Sequence, residues 1–261
     1  MATRICRANL LDGITAITDG AGAAKTAASG YAATAMTDSR LAPCWRSAAA
    51  ATTHTVVFEL ASSQGANFLG MFDVRPDSAT VSSIYLDYST TSNSLGFTTN
   101  AIALSLGTRR DGSAGAWSAT ARWWKLTITL SGSDTLEIGE VVLGTKTDLS
   151  RSHATENTSH QFDTQVNKSR GGVAWATRHA EEVVGFNLDW SITDSATRGE
   201  ILTAHRALYG AKNTVVLLPD SATQTACYHG RIEDIMQYEY DYPIYSGISW
   251  AFVESGRTIR G

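Results

Sequence analysis

Cysteine is scarce in this chain: Cys6, Cys44 and Cys227 are the only three in 261 residues. An odd, sparse set argues against a disulfide framework and fits synthesis in a reducing compartment. Cys6 and Cys44 could pair, but all three also read as buried small apolar residues. No Cys-x-x-Cys occurs, so a structural zinc lacks its usual ligands. Long apolar runs are missing too. No stretch approaches the roughly 18 apolar residues of a membrane span, and the opening MATRICRANLLDG has no apolar core of signal-peptide length. This predicts a soluble chain, with no ordinary export signal. Positive charge is in deficit, with 21 Lys and Arg against 25 Asp and Glu and a net charge of -4. Without a basic run there is no electrostatic case for nucleic acid or an anionic membrane.

The signatures of catalysis are also thin. None of His54, His153, His160, His179, His205 and His229 pairs at the i, i+4 spacing of a helical metal site. There is no Gly-x-Ser-x-Gly elbow. The stretch Gly20-Ala21-Gly22-Ala23-Ala24-Lys25-Thr26 superficially looks like a phosphate-binding loop, but Asp19 and Ala24 stand where that loop requires glycine. Glu181-Glu182 and Glu233-Asp234 read as solvated strand ends rather than a converging acid and base. Asn157-Thr158-Ser159 and Asn167-Lys168-Ser169 match a glycosylation pattern that stays idle without export. The expectation is a protein that is not an enzyme.

What the chain does contain is a core. Hydrophobic residues make up 43% and charged residues 18%, the balance of a folded protein, and the length suits one large or two ordinary domains. The most informative stretch is Trp117–Gly144. Trp123, Lys125, Thr127 and Thr129 alternate with Trp124, Leu126, Ile128 and Leu130, and after Ser131-Gly132-Ser133-Asp134 the alternation resumes through Leu136–Leu143. Period-two patterning split by a polar turn predicts two paired strands. Of the adjacent Trp123 and Trp124, one belongs in a core and the other is free to face a partner. Further strands are expected at Thr53–Leu60, Ala66–Phe72, Val81–Tyr88 and Ala101–Leu106. Many short strands without a strong helix point to a β-sandwich.

The grammar changes after Gly144. Residues 146–172 are rich in Ser, Thr, Asn and Asp and read as an extended connector or arm. Beyond it, strands are expected at Val173–Arg178, Glu182–Ile192, Thr214–Leu218, Ala226–Ile235 and Gln237–Glu254. One helix stands among them, capped by Asp194 or Ser195, with Ile201, Leu202, Ala204, His205, Leu208 and Tyr209 on its apolar side and Gly210 as its stop. The predicted fold is mainly β: a jelly-roll sandwich over 1–145, the connector, and an α+β sandwich with a single main helix over 173–261.

Asn9-Leu10-Leu11-Asp12, Trp45-Arg46-Ser47, Trp124–Ile128 and Glu137–Gly144 follow one another in an order that resembles a galactose-binding-like, discoidin-type jelly roll. With the second half (a strand ending near Trp190, the helix with Arg198 and Leu202, and Tyr228-His229-Gly230-Arg231), the chain resembles tailed-bacteriophage tail-tip or baseplate hub proteins of the distal tail type. In the usual members of that family the tail-type domain precedes the galactose-binding-like one, and here the order looks reversed. The resemblance implies a structural virion protein, made in the host cytoplasm. It would form a hexameric or trimeric ring around the tail axis and contact tube, hub and fibre proteins. The alternative it carries is a carbohydrate-binding module that contacts a host surface glycan. Trp45, Trp117 and Tyr88 are then candidates for carbohydrate or partner contact. Tyr238, Tyr240 and Tyr242 are candidates for contact between subunits, since Tyr is favoured at interfaces. No cofactor is implied beyond a structural calcium, for which Asp38 would be the ligand.

Overall fold

The first half of the chain places all its described strands but the first in two opposed layers. In order they are β1 (Arg4–Cys6), β2 (Ile14–Thr18), β3 (Trp45–Arg46), β4 (Ala51–Ala66), β5 (Phe68–Phe72), β6 (Arg75–Pro76), β7 (Val81–Ser89), β8 (Ile102–Leu104), β9 (Gly112–Ala114), β10 (Ala119–Asp134), β11 (Leu136–Ile138) and β12 (Glu140–Gly144). One layer is a five-stranded sheet in the order β2-β4-β10-β7-β8. The other comprises two three-stranded sheets, β3-β11-β6 and β12-β5-β9. All pairings are antiparallel. This is a jelly-roll β-sandwich. The structure is a computed structural model, and it describes residues 3–6, 8–39, 41, 44–149, 155–161, 164–168, 174–178, 183–193, 195–207, 214–232, 237–242 and 245–255.

The alternation read from the sequence decides which side of each strand is buried. Trp124, Leu126, Ile128 and Leu130 of β10 join Val56, Phe58 and Leu60 of β4 and Ile84 and Leu86 of β7 in one core. Leu69, Met71, Leu136, Ile138, Val141 and Leu143 close it from the opposing layer. One expectation fails here. The segments on either side of Ser131-Gly132-Ser133-Asp134 do not pair with each other. β10 runs through that turn chemistry to Asp134 and pairs with β4 and β7, while β11 and β12 lie in the opposing layer. The polar residues mark a corner between layers rather than a hairpin. Asp134 fixes that corner by accepting hydrogen bonds from the Ser78 and Ala79 backbone N–H groups at 2.6 and 2.7 Å.

The second half comprises β13 (Lys146–Asp148), β14 (Thr155–Gln161), β15 (Thr164–Lys168), β16 (Ala174–Arg178), β17 (Val183–Thr193), α1 (Ser195–Ala207), β18 (Val215–Leu218), β19 (Tyr228–Ile232), β20 (Gln237–Tyr242) and β21 (Tyr245–Glu254). An eight-stranded sheet has the order β13-β1-β18-β19-β21-β17-β14, with β20 also on β21. β15 and β16 form a two-stranded pair. The stretch 146–172, expected to be an extended connector, therefore holds three strands. Their polar composition shows no apolar alternation, so the sequence pattern did not mark them as strands. The helix buries Ile201 and Ala204 against Trp190, Trp250 and Phe252. Leu208, Tyr209 and Gly210, expected to finish it, lie outside the described residues, as does the side chain of His205.

The division between halves also differs from expectation. β1 pairs with β13 on one side and with β18 on the other. The jelly roll is thus an insertion between two neighbouring strands of the second sheet. Asn9 clasps this junction. Its Oδ1 accepts from Leu11 N at 3.1 Å and Leu143 N at 3.0 Å, and its Nδ2 donates to Val141 O at 2.9 Å. Strands β5 and β12 are buried on both faces. Phe68, Phe72 and Val142 point away from the jelly-roll core and pack with Cys6, Val216, Leu218 and Cys227. Cys6, Cys44 and Cys227 are all buried, as small apolar residues would be. Arg109 reaches across as well, with Nη2 2.7 and 2.6 Å from the two carboxylate oxygens of Glu254.

Candidate functional site

The expected aromatic candidates separate into two places. Trp45 is fully buried at 0% exposure, a correction to the expectation that it contacts a sugar or partner. On β3 it pairs with Ile138 and turns its ring into the core, and Thr26 O lies 3.4 Å from its Nε1. Trp117 and Tyr88 are brought together. Both are half-buried and rest on the ring of buried Trp124, at centroid distances of 5.9 and 5.8 Å. Trp117 Nε1 donates to Ala114 O at 3.1 Å. These two close the end of the core more than they project from it. Tyr238, Tyr240 and Tyr242 fall at alternate positions of β20, and their side chains lie outside the described residues.

The aromatic that does face outward is Trp123. It follows a register shift in the β4–β10 ladder between Ala121 and Trp123, where the strand bends. Its cross-strand neighbours are Glu59 on β4 and Ser89 on β7. Arg122 lies 4.9 Å from the Trp123 ring and its Nη2 donates to Glu59 Oε1 at 2.8 Å. Two residues on, Lys125 pairs with Asp87 at 3.5 Å, and Phe97 from the 90–100 loop sits 4.8 Å from the Lys125 ammonium. Thr127 follows, with Tyr85 as its partner on β7. Period-two alternation sets Trp123, Lys125, Thr127 and Tyr85 on the outer face of the five-stranded sheet. The 19–24 and 90–100 loops meet at this side: a Cβ at Gly22 (φ +87) would stand 3.4 Å from the Asn93 side chain.

The far end of the sandwich is polar and knitted to itself. Arg46 Nη2 donates to Asp77 Oδ2 at 2.6 Å, and its Nη1 lies 3.4 Å from buried Glu137. Thr135 Oγ1 donates to the same Asp77 oxygen at 2.5 Å. The backbone N–H groups of Ala79 and Ser78 hold the Asp134 carboxyl below the usual carboxylate range. His54, buried, lies with Nε2 3.0 Å from Asp134 O, and burial lowers its pKa. Burial likewise lowers Lys25, against the pull of Asp19, while its Nζ donates to Thr55 O at 2.5 Å. These groups brace loops. Among the described residues no group of three or more His, Cys, Asp or Glu side chains could hold a metal ion.

Sequence reading missed the Arg122–Glu59 and Lys125–Asp87 pairs because each spans strands far apart in the chain. The alternation of Trp123 and Trp124 was the available signal, and it marked one of them as outward. No protein-family model and no curated protein matches the chain. Solved structures similar to it include chitosan-binding module 1 of a chitosanase/glucanase from Paenibacillus sp. IK-5, at 18% identity and a TM-score of 0.41 over 52% of this chain and 98% of that one. A pectin-binding carbohydrate-binding module is similar at 15% identity and 0.39, over 50% and 89%. So is the Ruminococcus gnavus GH29 fucosidase, at 15% and 0.39, with 54% of this chain matching 27% of the enzyme.

Proposed function

We propose that the chain is a non-catalytic glycan-binding protein whose jelly roll carries the binding face and whose second sheet anchors it to a larger assembly. The observation that carries this reading is half-buried Trp123 beside the Arg122–Glu59 pair, on the outer face of the five-stranded sheet. A sugar ring needs an apolar platform for its C–H face and fixed donors and acceptors for its hydroxyls. Here an indole, a guanidinium and a carboxylate lie together in positions set by backbone pairing rather than by free loops. The test is retention of the intact chain on immobilised host-envelope polysaccharide. Wild type is expected to bind and Trp123→Ala to wash through, whereas equal elution of both proteins from an inert resin would reject the proposal.

A second reading, a structural ring subunit of a bacteriophage tail tip, is favoured by a different observation. The jelly roll is built into the second sheet at both of its ends, which is the construction expected of a part that bears load. The two readings are compatible, because a ring subunit can display glycan-binding faces. Light scattering at micromolar concentration should then report closed oligomers. A strictly monomeric chain that also ignores other tail proteins would remove the ring and leave the glycan-binding reading intact.

A further inference from the structure

We infer that a bulge at residues 61–63 of β4 is part of the binding site, and that the ligand leaves Trp123 across that bulge. This rests on the glycan-binding reading above and adds the ground that the ligand occupies beside Trp123. The bulge stands out in the register. Gln64 pairs with Ala121 and Glu59 with Trp123, so residues 60–63 of β4 face Arg122 alone on β10. Leu60 is matched to Ile14 of β2 on its other side, whereas Ala61, Ser62 and Ser63 have no partner in either ladder. This interruption decides where Arg122 points. Ala121 and Trp124 are both core residues with 0% exposure, and only Arg122 and Trp123 lie between them. Strict alternation would send one of that pair inward. A ladder without the extra residues would set Arg122 opposite Leu60, on the core side. The bulge lets both side chains face out. The guanidinium comes to rest 4.9 Å from the indole, with Nη2 2.8 Å from Glu59 Oε1.

Direction follows from what surrounds Trp123. On the β7 side the face is closed. Ser89, level with Trp123, is 1% exposed. Its hydroxyl accepts from Thr91 N at 3.1 Å and donates to Leu95 O at 2.9 Å, which fastens the 90–100 loop beside the indole. Further along the sheet Phe97 lies over Lys125, and Val57 and Asp87 are buried. On the β4 side the ground is open, since Ala61, Ser62, Ser63, Gln64 and Gly65 are all exposed. It offers hydroxyl and amide groups and no charge, with Gln64 Nε2 donating to Ser62 Oγ at 3.2 Å. Residues in a bulge leave the ladder, which frees their backbone N–H and C=O groups to meet sugar hydroxyls. Trp123 and Arg122 then form the inner end of the site and the bulge its outer part.

The test adds bulk on either side of Trp123. Ser62→Ile and Ser63→Ile load the bulge, and Ser94→Ile places the same bulk at an exposed position of the opposite loop. The intact proteins should be run by affinity electrophoresis through gels cast with the host-envelope polysaccharide of the retention test, with urea midpoints measured in parallel. All three positions are exposed, so the midpoints should stay at the wild-type value; if one bulge substitution lowers it, the other decides. The expected result is affinity weakened by about tenfold or more in the bulge variants and held within about twofold of wild type in Ser94→Ile. Wild-type affinity in both bulge variants would overturn the inference while leaving glycan binding at Trp123 in place. Loss in Ser94→Ile with the bulge variants unaffected would also overturn it, by sending the ligand towards β7. A wild-type protein that the polysaccharide does not retard would reject the underlying reading, and this inference with it.

Discussion

At the scale of single residues, Trp123 and Trp124 show how one step along a strand reverses a role. Trp124 has 0% exposure at the centre of the core, with Trp117 and Tyr88 packed on it. Trp124→Ala should cost about 3–5 kcal/mol in a urea titration, the range for emptying a large aromatic site. Trp123→Ala should stay near wild type in the same measurement while losing glycan retention; a large loss of stability would show that Trp123 serves the fold instead. His54 sets a pH dependence. Burial holds it below its ordinary value of about 6.5, an effect that the Lys25 charge reinforces and the hydrogen bond to Asp134 O opposes. The folded state therefore binds its proton less readily than the unfolded chain does. The stability this group allows is complete above about pH 6.5 and is lost as pH falls through the lowered folded value. Asp134 adds a second loss further down. Its carboxyl is depressed by the Ala79 and Ser78 N–H groups, so its contribution holds above about pH 3.9 and fades as pH falls towards its folded value. Thermal melts across acid pH should show both limbs, and His54→Gln should flatten the upper one; an unchanged profile in that variant would dismiss His54 as its source.

At the scale of elements, β12 is the most constrained strand. Its inner residues Val141 and Leu143 complete the jelly-roll core, and Val142 on the other face meets the second sheet. At its end, a Cβ on Gly144 would fall 2.2 Å from Ala8 O and 2.9 Å from Cys6 Sγ. Gly144 is thus required by a close approach of backbone, where the chain leaves the jelly roll beside the strand by which it entered. Gly144→Ala should part β12 from the Asn9 clasp and lower stability by about 2 kcal/mol or more, visible as a drop in denaturation midpoint. Gly132→Ala, at an open position in β10, provides the control and should leave the midpoint unchanged. A similar midpoint for both variants would show that the clasp yields without cost.

At the scale of the molecule, the two halves share a core and should unfold together. Phe68 and Phe72 project from the jelly roll into contact with Cys6, Val216 and Leu218. Arg109 closes the same seam on Glu254, whose carboxylate also accepts from Val184 N at 3.1 Å. Phe72→Ala should destabilise by about 3–5 kcal/mol. Arg109→Ala should cost about 2–4 kcal/mol, because it removes the cation paired with a buried carboxylate. In both variants calorimetry should still show one transition. Two separated peaks, in the variants or in wild type, would mean that the halves are independent domains. A single cooperative unit would hold the Trp123 face at a fixed angle to the second sheet, as a glycan-binding surface on an ordered assembly requires.

Much of this architecture was legible in the chain itself. The alternation through Trp123–Leu130 separated the two faces of the strand, because a period of two is local, and it left open which face was core. The mainly β class and the one α-helix among the described residues, with Ile201 and Ala204 buried, follow from composition and periodicity of the same local kind. Tertiary structure decided what depends on pairing at a distance. It turned the Ser131–Asp134 turn into a corner and buried Trp45. It placed Arg4–Cys6 in a sheet whose other strands begin at Lys146, and it matched Arg122 to Glu59 and Lys125 to Asp87. Periodicity tells each strand which side is apolar, but not which strand it will meet; that choice belongs to the burial of all the faces at once.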